Sequence, residues 1–597
     1  MSQATYDIII AGGGTAGCVL AGRLAAADPA LTILIIESGP TTRNDPLHIQ
    51  PSRFMYHQRP DSKTMKFYSG KECAALGGRA PVVSCGQCLG GGSSVNFTMY
   101  TRAAPSDYDD WATVYGNKGW SATELLPLLR KCETYQVRPG QATHGYAGPL
   151  KVSYGGYYPE VGQEFLNVAA QYDKTRGHTD DVNDFLIRPL GQRWPKWINA
   201  ETGTRSDVPH HYIYPQSSNK NLTVLTGYHV KRVIFSGSVA RDVEYVPNSQ
   251  IRDDGTSQVV TARARRMVVL SAGTFGFPAI LERSGIGSSE VLKKIGAKEI
   301  ICLPGVGENY QDHQTVFPQY LACESSHTLD CIVEDDQEEI AAWTKQWLEY
   351  GTGLLATNGL EAGIKLRPSR QELYAIGDDF RKRWLEFYAP SPDKPIIWMG
   401  VIALLSGEDR PPPSGKKYFG VVHYLQHPAS VGYVHATSAD DVEAPLDFHP
   451  GYLDSPADMA LHKWAYKRTP FPSGSAATVC ERSGPVPISE PDLEYSAEDD
   501  RALEDYIRLT VGSCWHSLGT CAMKRREEGG VVDSRLNVYG VEGLKIVDLS
   551  ICPGNVAANT YSTAVLIGEK AAMIIAEELG IPMGDAGAAG PLFKARL

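Results

Sequence analysis

The residues best suited to catalysis lie near the C-terminus, where His516 occupies a glycine-containing loop and Asn559 follows further along the chain. An imidazole with a pKa of about 6.5 can accept a proton at neutral pH, and a carboxamide can hydrogen-bond the same oxygen. This pair suits alcohol oxidation, because the hydroxyl proton must leave when the carbon gives up a hydride. A lone histidine is more often structural, so the catalytic assignment of His516 and Asn559 depends on the rest of the chain.

A glycine-rich turn near the N-terminus predicts a dinucleotide site. The strand-like residues 6–11 lead into Gly-Gly-Gly-Thr-Ala-Gly at 12–17 and then into a helical stretch. The first glycine permits the tight turn, the third lets backbone approach a pyrophosphate, and the last allows close helix packing. The first helical amides would face the phosphates. The predicted cofactor contacts of this turn are Gly12, Gly14, Thr15, Ala16 and Gly17.

Two further features extend the predicted dinucleotide site. Residues 31–36 read as a second strand that ends at Glu37, which can accept hydrogen bonds from ribose hydroxyls and disfavours a 2′-phosphate. Residues 89–96 form a loop of small residues suited to close contact with a flat cofactor. The predicted contacts in this loop are Gly90, Gly91, Ser93 and Asn96. The glycine turn alone does not separate FAD from NAD.

These motifs resemble those of the glucose-methanol-choline (GMC) oxidoreductases. Residues 89–102 resemble the first signature of that family, 271–287 the second, and 303–313 a turn that follows it. His516 and Asn559 match the family's catalytic pair. The resemblance implies an α/β fold, with a discontinuous FAD-binding Rossmann-like domain and an α+β substrate-binding domain that contains an antiparallel sheet.

The resemblance also implies further cofactor contacts. Val230 matches the position whose backbone holds the adenine. Asp548 matches an acid at the end of the last strand under the cofactor, although a strand-terminal capping role explains this residue equally well. Asn559 and Thr560 precede a helical stretch that ends at Gly580, so a positive helix end can face the flavin.

An FAD-dependent alcohol oxidase is the activity that the resemblance implies, with hydride transfer to flavin N5 and reduction of O2 to H2O2. Val95 stands where some members carry a histidine that anchors FAD, so we expect non-covalent FAD. Three alternatives stay open. They are a flavin dehydrogenase that uses a quinone-type acceptor or acts on longer or aromatic alcohols, a hydroxynitrile-lyase-like enzyme, and a non-catalytic flavin-binding scaffold.

Several stretches resemble the methanol and short-chain alcohol oxidases within the family, which implies a short primary alcohol as substrate. In those enzymes aromatic residues narrow the pocket, and the matching positions here are Phe97, Met99 and Trp515. Thr98 replaces a larger residue, which predicts a wider pocket. The chain between Lys467 and Leu493 is also shorter than in methanol oxidases.

The predicted organisation is discontinuous. We expect residues 1–155, 215–315 and 500–597 to form the FAD-binding domain, and 156–214 and 316–499 to form the substrate-binding domain. Within the first, residues 222–225 and 230–234 are predicted to be paired strands. Asp312 and His313 are interpreted as structural residues where the chain crosses between domains, outside the catalytic set.

Composition and chain ends set further expectations. A net charge of −11 disfavours nucleic acid or anionic lipid as a partner, and no apolar run is long enough for membrane insertion. The twelve cysteines, among them Cys85 and Cys88, are interpreted as reduced core residues, with no metal site. Ala595-Arg596-Leu597 resembles a C-terminal peroxisomal targeting signal, which an import receptor would bind. Without import, we expect a cytoplasmic location. The expected small-molecule partners are an alcohol and O2, and homo-oligomerisation stays open.

Overall fold

The computed structural model describes residues 4–172, 176, 179, 181–185, 191–252, 258–406, 415–469, 482–483 and 495–583. The targeting prediction on Ala595, Arg596 and Leu597 falls outside the described residues and stays a prediction. Within the described ranges, no helix combines the length and the apolar character that crossing a bilayer requires.

The described residues form 23 strands and 15 α-helices. The strands are β1 (Ala4–Ala11), β2 (Ile33–Glu37), β3 (Met65–Ser69), β4 (Val82–Gly86), β5 (Glu133–Tyr135), β6 (Leu150–Val152), β7 (Gly191–Arg193), β8 (Leu222–Thr226), β9 (Tyr228–Ser236), β10 (Val239–Pro247), β11 (Val260–Leu270), β12 (Ile286–Gly287), β13 (Ile301–Cys302), β14 (Gln314–Val316), β15 (Gln319–Leu321), β16 (Leu360–Leu366), β17 (Ile397–Ile402), β18 (Tyr418–Leu425), β19 (Tyr433–His435), β20 (Asp447–His449), β21 (Arg482–Ser483), β22 (Gly512–Ser513) and β23 (Leu544–Ile546). The α-helices are α1 (Thr15–Ala27), α2 (Pro46–Ile49), α3 (Phe54–His57), α4 (Pro105–Thr113), α5 (Ala122–Lys131), α6 (Glu160–Tyr172), α7 (Gly273–Arg283), α8 (Ser289–Ile295), α9 (Asp330–Val333), α10 (Gln337–Tyr350), α11 (Arg370–Ile376), α12 (Asp378–Arg383), α13 (Pro456–Lys467), α14 (Ala497–Thr510) and α15 (Tyr561–Leu579).

The first large sheet has the strand order β8-β2-β1-β11-β10-β9, with β23 beside β11. Its centre is parallel, so that Ile9 lies between Leu34 and Val268 in the register. Residues 8–11, 33–36 and 267–270 of these strands are unbroken apolar runs, because both faces of the sheet are buried there. The Rossmann-like layer that the family resemblance implies is therefore present, and β9 and β10 add an antiparallel edge to it.

The predicted pairing of residues 222–225 with 230–234 is wrong. β8 pairs with β2, whereas β9 pairs with β10 at the other end of the strand order. Both strands extend further than the sequence pattern indicates, and Gly227 alone separates them. One residue is too short for a hairpin loop, for which two residues are the usual minimum.

Two helices from opposite ends of the chain pack together above this sheet. α1 begins at the glycine turn, and α15 begins directly after Asn559 and Thr560. Close approach depends on Gly568, where a Cβ atom would lie 2.8 Å from the carbonyl oxygen of Ala16. The starts of both helices lie beside one cavity.

The second large sheet is antiparallel, in the order β21-β15-β18-β17-β16-β7, and β14 joins β18 to β22. Side chains alternate across its faces. Val421 and Leu425 of β18 belong to a hydrophobic core on one side, and Val422 and Tyr424 line the cavity on the other. The presence of both sheets confirms the predicted fold class, while the exact domain bounds stay a prediction.

Candidate active site

A cavity of about 710 Å³ extends between the two sheets. At one end, which we call the dinucleotide end, it is lined by Gly12, Gly14 and Glu37. At the other, the catalytic end, it is lined by His516 and Asn559. One continuous space therefore contains both the predicted cofactor turn and the predicted catalytic pair.

Backbone geometry shapes the dinucleotide end. Gly12 has a φ of +106°, and a Cβ atom there would lie 2.2 Å from the carbonyl oxygen of Ser271. α1 starts after Gly14 without a side-chain cap, so its first amides stay available to an anion. Glu37 accepts hydrogen bonds from the amides of Gly13 and Gly39, both at 2.8 Å, which fixes its carboxylate against the turn. Burial raises the pKa of Glu37.

Two predicted contacts, Gly17 and Gly90, are not among the cavity-lining residues. A Cβ atom at Gly17 would lie 2.5 Å from the carbonyl oxygen of Gly12, so this glycine packs behind the turn. Gly90 donates its amide to Gly13 at 2.7 Å and accepts from the hydroxyl of Thr15 at 3.1 Å. Both glycines therefore support the lining rather than form it.

The other predicted cofactor residues line the cavity: Thr15, Ala16, Gly91, Ser93, Asn96, Val230, Asp548 and Thr560. Asp548 accepts from the amides of Ser550 at 2.8 Å and Gly273 at 2.6 Å, which is a capping role. Its carboxyl is buried, and burial raises its pKa to about 6. The capping role of Asp548 is therefore present in the structure, while its role toward the cofactor stays a prediction.

His516 and Asn559 meet at the catalytic end, where Nε2 of His516 lies 3.2 Å from Nδ2 of Asn559. Oδ1 of Asn559 accepts from the hydroxyl of Thr101 at 3.0 Å and from that of Tyr424 at 3.3 Å. These two bonds direct the amide nitrogen toward the imidazole. Burial disfavours the charged form of His516 and lowers its pKa to about 3, so the ring is neutral at physiological pH.

Apolar side chains surround this pair. The residues of the catalytic end that line the cavity with carbon-rich side chains are Phe97, Met99, Phe317, Leu360, Trp398, Ile402, Val422 and Trp515. Trp515 has a φ of +60° and its ring centroid lies 5.1 Å from that of Phe97. Asn358 donates from Nδ2 to the carbonyl oxygen of Phe97, and thereby fixes this wall. An uncharged substrate suits these surroundings.

Thr98 does not line the pocket, so its effect on the width of the pocket stays a prediction. It is buried and is not among the cavity-lining residues. Its φ of +54° is unusual for a β-branched residue. The amide of Thr98 donates to Oδ1 of Asn96 at 2.9 Å, a turn that directs the Thr98 side chain away from the cavity.

The sequence interpretation missed the contacts of Asp312 with the backbone amide of the candidate base and of His313 with its imidazole. Oδ1 of Asp312 accepts from the amide of His516 at 2.9 Å, and Nδ1 of His313 lies 2.8 Å from Nδ1 of His516. The pairing of β14 with β22, in which Gln314 lies opposite Ser513, brings the two segments together. The only hint in the sequence is that Asp312 and His313 end the family-like turn of residues 303–313.

The cysteines and metal-binding residue types offer no second site within the described ranges. Cys85 and Cys88 are free thiols, as are the other cysteines that the structure describes. No group of three or more histidine, cysteine and acidic residues there could hold a metal ion.

The residues present fit a bound dinucleotide. The cavity is long enough to join the glycine turn to the imidazole, and the starts of α1 and α15 both lie on it without side-chain caps. At Gly92 a Cβ atom would have no heavy atom within 4 Å, so the loop leaves open space toward the cavity. FAD would be held by the turn, Glu37, the loop of residues 91–96 and the start of α15.

Comparisons with known proteins agree with this arrangement. Two family models described as GMC oxidoreductase match residues 6–315 and 428–568. An alcohol oxidase of Pichia angusta is 40% identical, with 99% of this chain and 97% of the relative covered. One of Candida boidinii is also 40% identical, with 96% and 95% covered.

Solved structures give the same result. Pyridoxine 4-oxidase from Mesorbium loti matches with a TM-score of 0.75 and 25% identity, covering 95% of this chain and 98% of that one. An FAD-dependent oxidoreductase from Chaetomium thermophilum matches with a TM-score of 0.80 and 25% identity, covering 97% and 100%. The chain therefore belongs to the GMC oxidoreductases, a family of FAD-dependent flavoproteins.

Proposed function

We propose that this protein oxidises a small primary alcohol to the aldehyde and reduces O2 to H2O2. The observation that carries the proposal is the 3.2 Å contact between His516 and Asn559 inside an apolar pocket continuous with the dinucleotide end. The alcohol oxidases among its relatives support the same reaction class. The overall reaction balances as RCH2OH plus O2 giving RCHO plus H2O2.

The chain's own residues bind and deprotonate the alcohol. Nε2 of His516 accepts the hydroxyl proton. General-base catalysis of this kind accelerates a reaction by about 10²–10⁴-fold. The side-chain N–H of Asn559 turns from the imidazole to the alcohol oxygen. It donates a hydrogen bond to this oxygen as negative charge develops there. When bound, FAD supplies the hydride acceptor, and O2 takes up the two electrons as peroxide.

The walls of the pocket select the substrate. Phe97, Met99 and Trp515 exclude water beside the imidazole, and most of the described side chains that line the catalytic end are uncharged and apolar. A neutral primary alcohol with a short carbon chain suits this space. Val95, buried within the small-residue loop, offers no nucleophile, so FAD is proposed to be non-covalent and should be released by denaturation.

The decisive experiment mixes the purified flavoprotein anaerobically with methanol, ethanol and benzyl alcohol, and then admits air. Bleaching of the flavin band, recovery in air and an equivalent of H2O2 would support the oxidase. Bleaching without rapid recovery in air would replace it with a dehydrogenase. Absence of bleaching with every alcohol would overturn the proposal, and cleavage of a hydroxynitrile without any redox change would indicate a lyase.

A further inference from the structure

Two buried imidazoles meet behind the proposed base, and their contacts determine which nitrogen carries each proton. Nε2 of His313 lies 3.0 Å from the backbone oxygen of Val556. A carbonyl oxygen only accepts hydrogen bonds, so the hydrogen of this contact must belong to Nε2 of His313. His313 is fully buried, and burial places its pKa well below its usual value, so the ring is neutral and its Nδ1 has a free lone pair.

The next link is the contact between the two rings. Nδ1 of His313 and Nδ1 of His516 are 2.8 Å apart, a distance at which one hydrogen lies between them. Because Nδ1 of His313 is the acceptor, Nδ1 of His516 is the donor. A neutral imidazole carries a single N–H, which leaves Nε2 of His516 unprotonated.

The contacts of Asn559, on the opposite side of the imidazole, also indicate that Nε2 of His516 is unprotonated. Its Oδ1 is occupied by the hydroxyl groups of Thr101 and Tyr424, so its Nδ2 is the atom that faces the imidazole. An amide nitrogen only donates, so Nε2 of His516 must accept at this 3.2 Å contact. The two independent chains of hydrogen bonds therefore require the same tautomer.

We propose that His313 is a positioning residue that fixes His516 in the tautomer whose Nε2 is free to accept the alcohol proton. This inference rests on the proposed function for its consequence, but the tautomer itself does not depend on it. With the hydrogen on Nε2 instead, the ring would present a donor to the alcohol and could not act as its base.

The backbone carbonyl of Val556, with which this series of hydrogen bonds begins, is itself held in place. The amide of Ala557, on the same peptide unit as the Val556 oxygen, donates to Oδ2 of Asp107 at 2.7 Å. Asp107 is buried and pairs with Lys394 at 3.3 Å and with His427 at 2.8 Å. Lys365 donates to the following carbonyl, that of Ala557, at 3.1 Å. The peptide unit cannot rotate without breaking the hydrogen bond from the Ala557 amide to a buried carboxylate, so its oxygen stays directed at His313.

The test uses the FAD-bound protein labelled with ¹⁵N-histidine, in the wild type and three variants. His313→Asn places a carboxamide oxygen near the position of Nδ1 and keeps an acceptor for His516. His313→Leu removes the acceptor. His462→Asn is the matched control, because it alters a buried histidine that bonds His423 and not His516. Signals of His516 are assigned by their loss in His516→Ala.

In the wild type we expect ¹⁵N NMR to show a protonated Nδ1 and an unprotonated Nε2 on His516, with a scalar coupling across the N–H···N bond to His313. The leucine variant should lose that pattern and reduce its flavin about 10²-fold more slowly per bound FAD. The asparagine variant should keep the tautomer and a rate within a few-fold of wild type. The control should change neither the tautomer nor the rate.

A hydrogen found on Nε2 of His516 in the wild type would overturn the inference, as would a leucine variant with wild-type tautomer and rate. If the leucine variant does not fold, the coupling in the wild type and the behaviour of the asparagine variant decide the question. If no alcohol reduces the wild type, the proposed function fails while the NMR result still establishes or refutes the tautomer lock.

Discussion

The two ends of the cavity are built in different ways. At the dinucleotide end many contacts involve backbone, since the amide of Gly13 bonds Glu37 only 24 residues away and Gly12 packs against the carbonyl oxygen of Ser271. At the catalytic end they are remote, since His516 bonds a partner 203 residues earlier, and Asn559 bonds Thr101 across 458 residues. Side chains, rather than backbone, hold that end together.

This difference predicts separable consequences. Changes at the catalytic end should slow the reaction of each bound flavin and leave cofactor binding intact. Changes at the dinucleotide end should weaken cofactor binding and leave the rate per bound flavin intact. For each substitution, both FAD binding and the rate of reduction per bound flavin are measured. A catalytic-end variant that loses FAD, or a dinucleotide-end variant that reacts slowly, would contradict the comparison.

Replacing the base should have the largest effect. We expect His516→Ala to lower the rate of anaerobic flavin reduction by about 10²–10⁴, because the alcohol proton then has no acceptor. Stopped-flow absorbance measures that rate, and the flavin content of the purified variant reports binding. Loss of FAD without a change in rate would show that His516 serves the cofactor and not the alcohol.

The pH dependence of the same rate is the next test. The imidazole is active when neutral, and burial lowers the pKa of His516 to about 3, so the active form should persist as pH falls from 8 to 5. A base with an ordinary pKa of about 6.5 would be mostly protonated at pH 5 and would lose about 30-fold in rate over that range. We expect the reduction rate at saturating alcohol to stay within a few-fold. An apparent pKa near the ordinary value would show that the bound site is far more polar than the structure indicates.

The same contrast explains what could be predicted from sequence. The glycine turn, Glu37 and the strands beside them follow from residues close together in the chain, and the family motifs identify His516 and Asn559. The partners of that pair could not be inferred in this way. Asp312 and His313 reach His516 only because β14 pairs with β22, and such tertiary contacts leave no local pattern.

Three predicted positions share one physical feature, which is that none of them lines the cavity. Thr98 was expected to affect the pocket because of its size, but it has a φ of +54° and is absent from the lining. Gly17 shows the close packing that the glycine turn predicts and Gly90 supports the lining through a backbone bond, while the contact of both with the cofactor stays a prediction. Residue type predicts chemistry well, whereas side-chain direction depends on dihedral angles that the sequence does not display.

A substitution at the dinucleotide end should have an intermediate effect of the other kind. Gly12→Ala places a Cβ atom 2.2 Å from the carbonyl oxygen of Ser271 and forces an alanine to a φ of +106°. Strain of this type costs roughly 1–3 kcal/mol, so we expect FAD affinity to fall about 10-fold or more. Isothermal titration with FAD after removal of the cofactor measures the affinity. The molecules that still bind FAD should be reduced at the wild-type rate, and a slower reduction would contradict the separation.

The smallest expected effect sharpens the comparison most. Tyr424→Phe deletes the hydroxyl that donates to Asn559 at 3.3 Å, but keeps the ring that stacks on Trp398 and His313 with centroids 5.1 and 5.0 Å away. A hydrogen bond of this kind is worth about 0.5–1.5 kcal/mol, so the reduction rate should fall about 2- to 10-fold while FAD affinity and thermal stability hardly change. Thr101→Val should slow the reaction further, because the hydroxyl of Thr101 also accepts a hydrogen bond from the backbone amide of Asn559 at 2.7 Å. Wild-type rates in both variants would mean that the carboxamide is oriented by its backbone alone, and that the catalytic end depends on side-chain contacts less than its geometry implies.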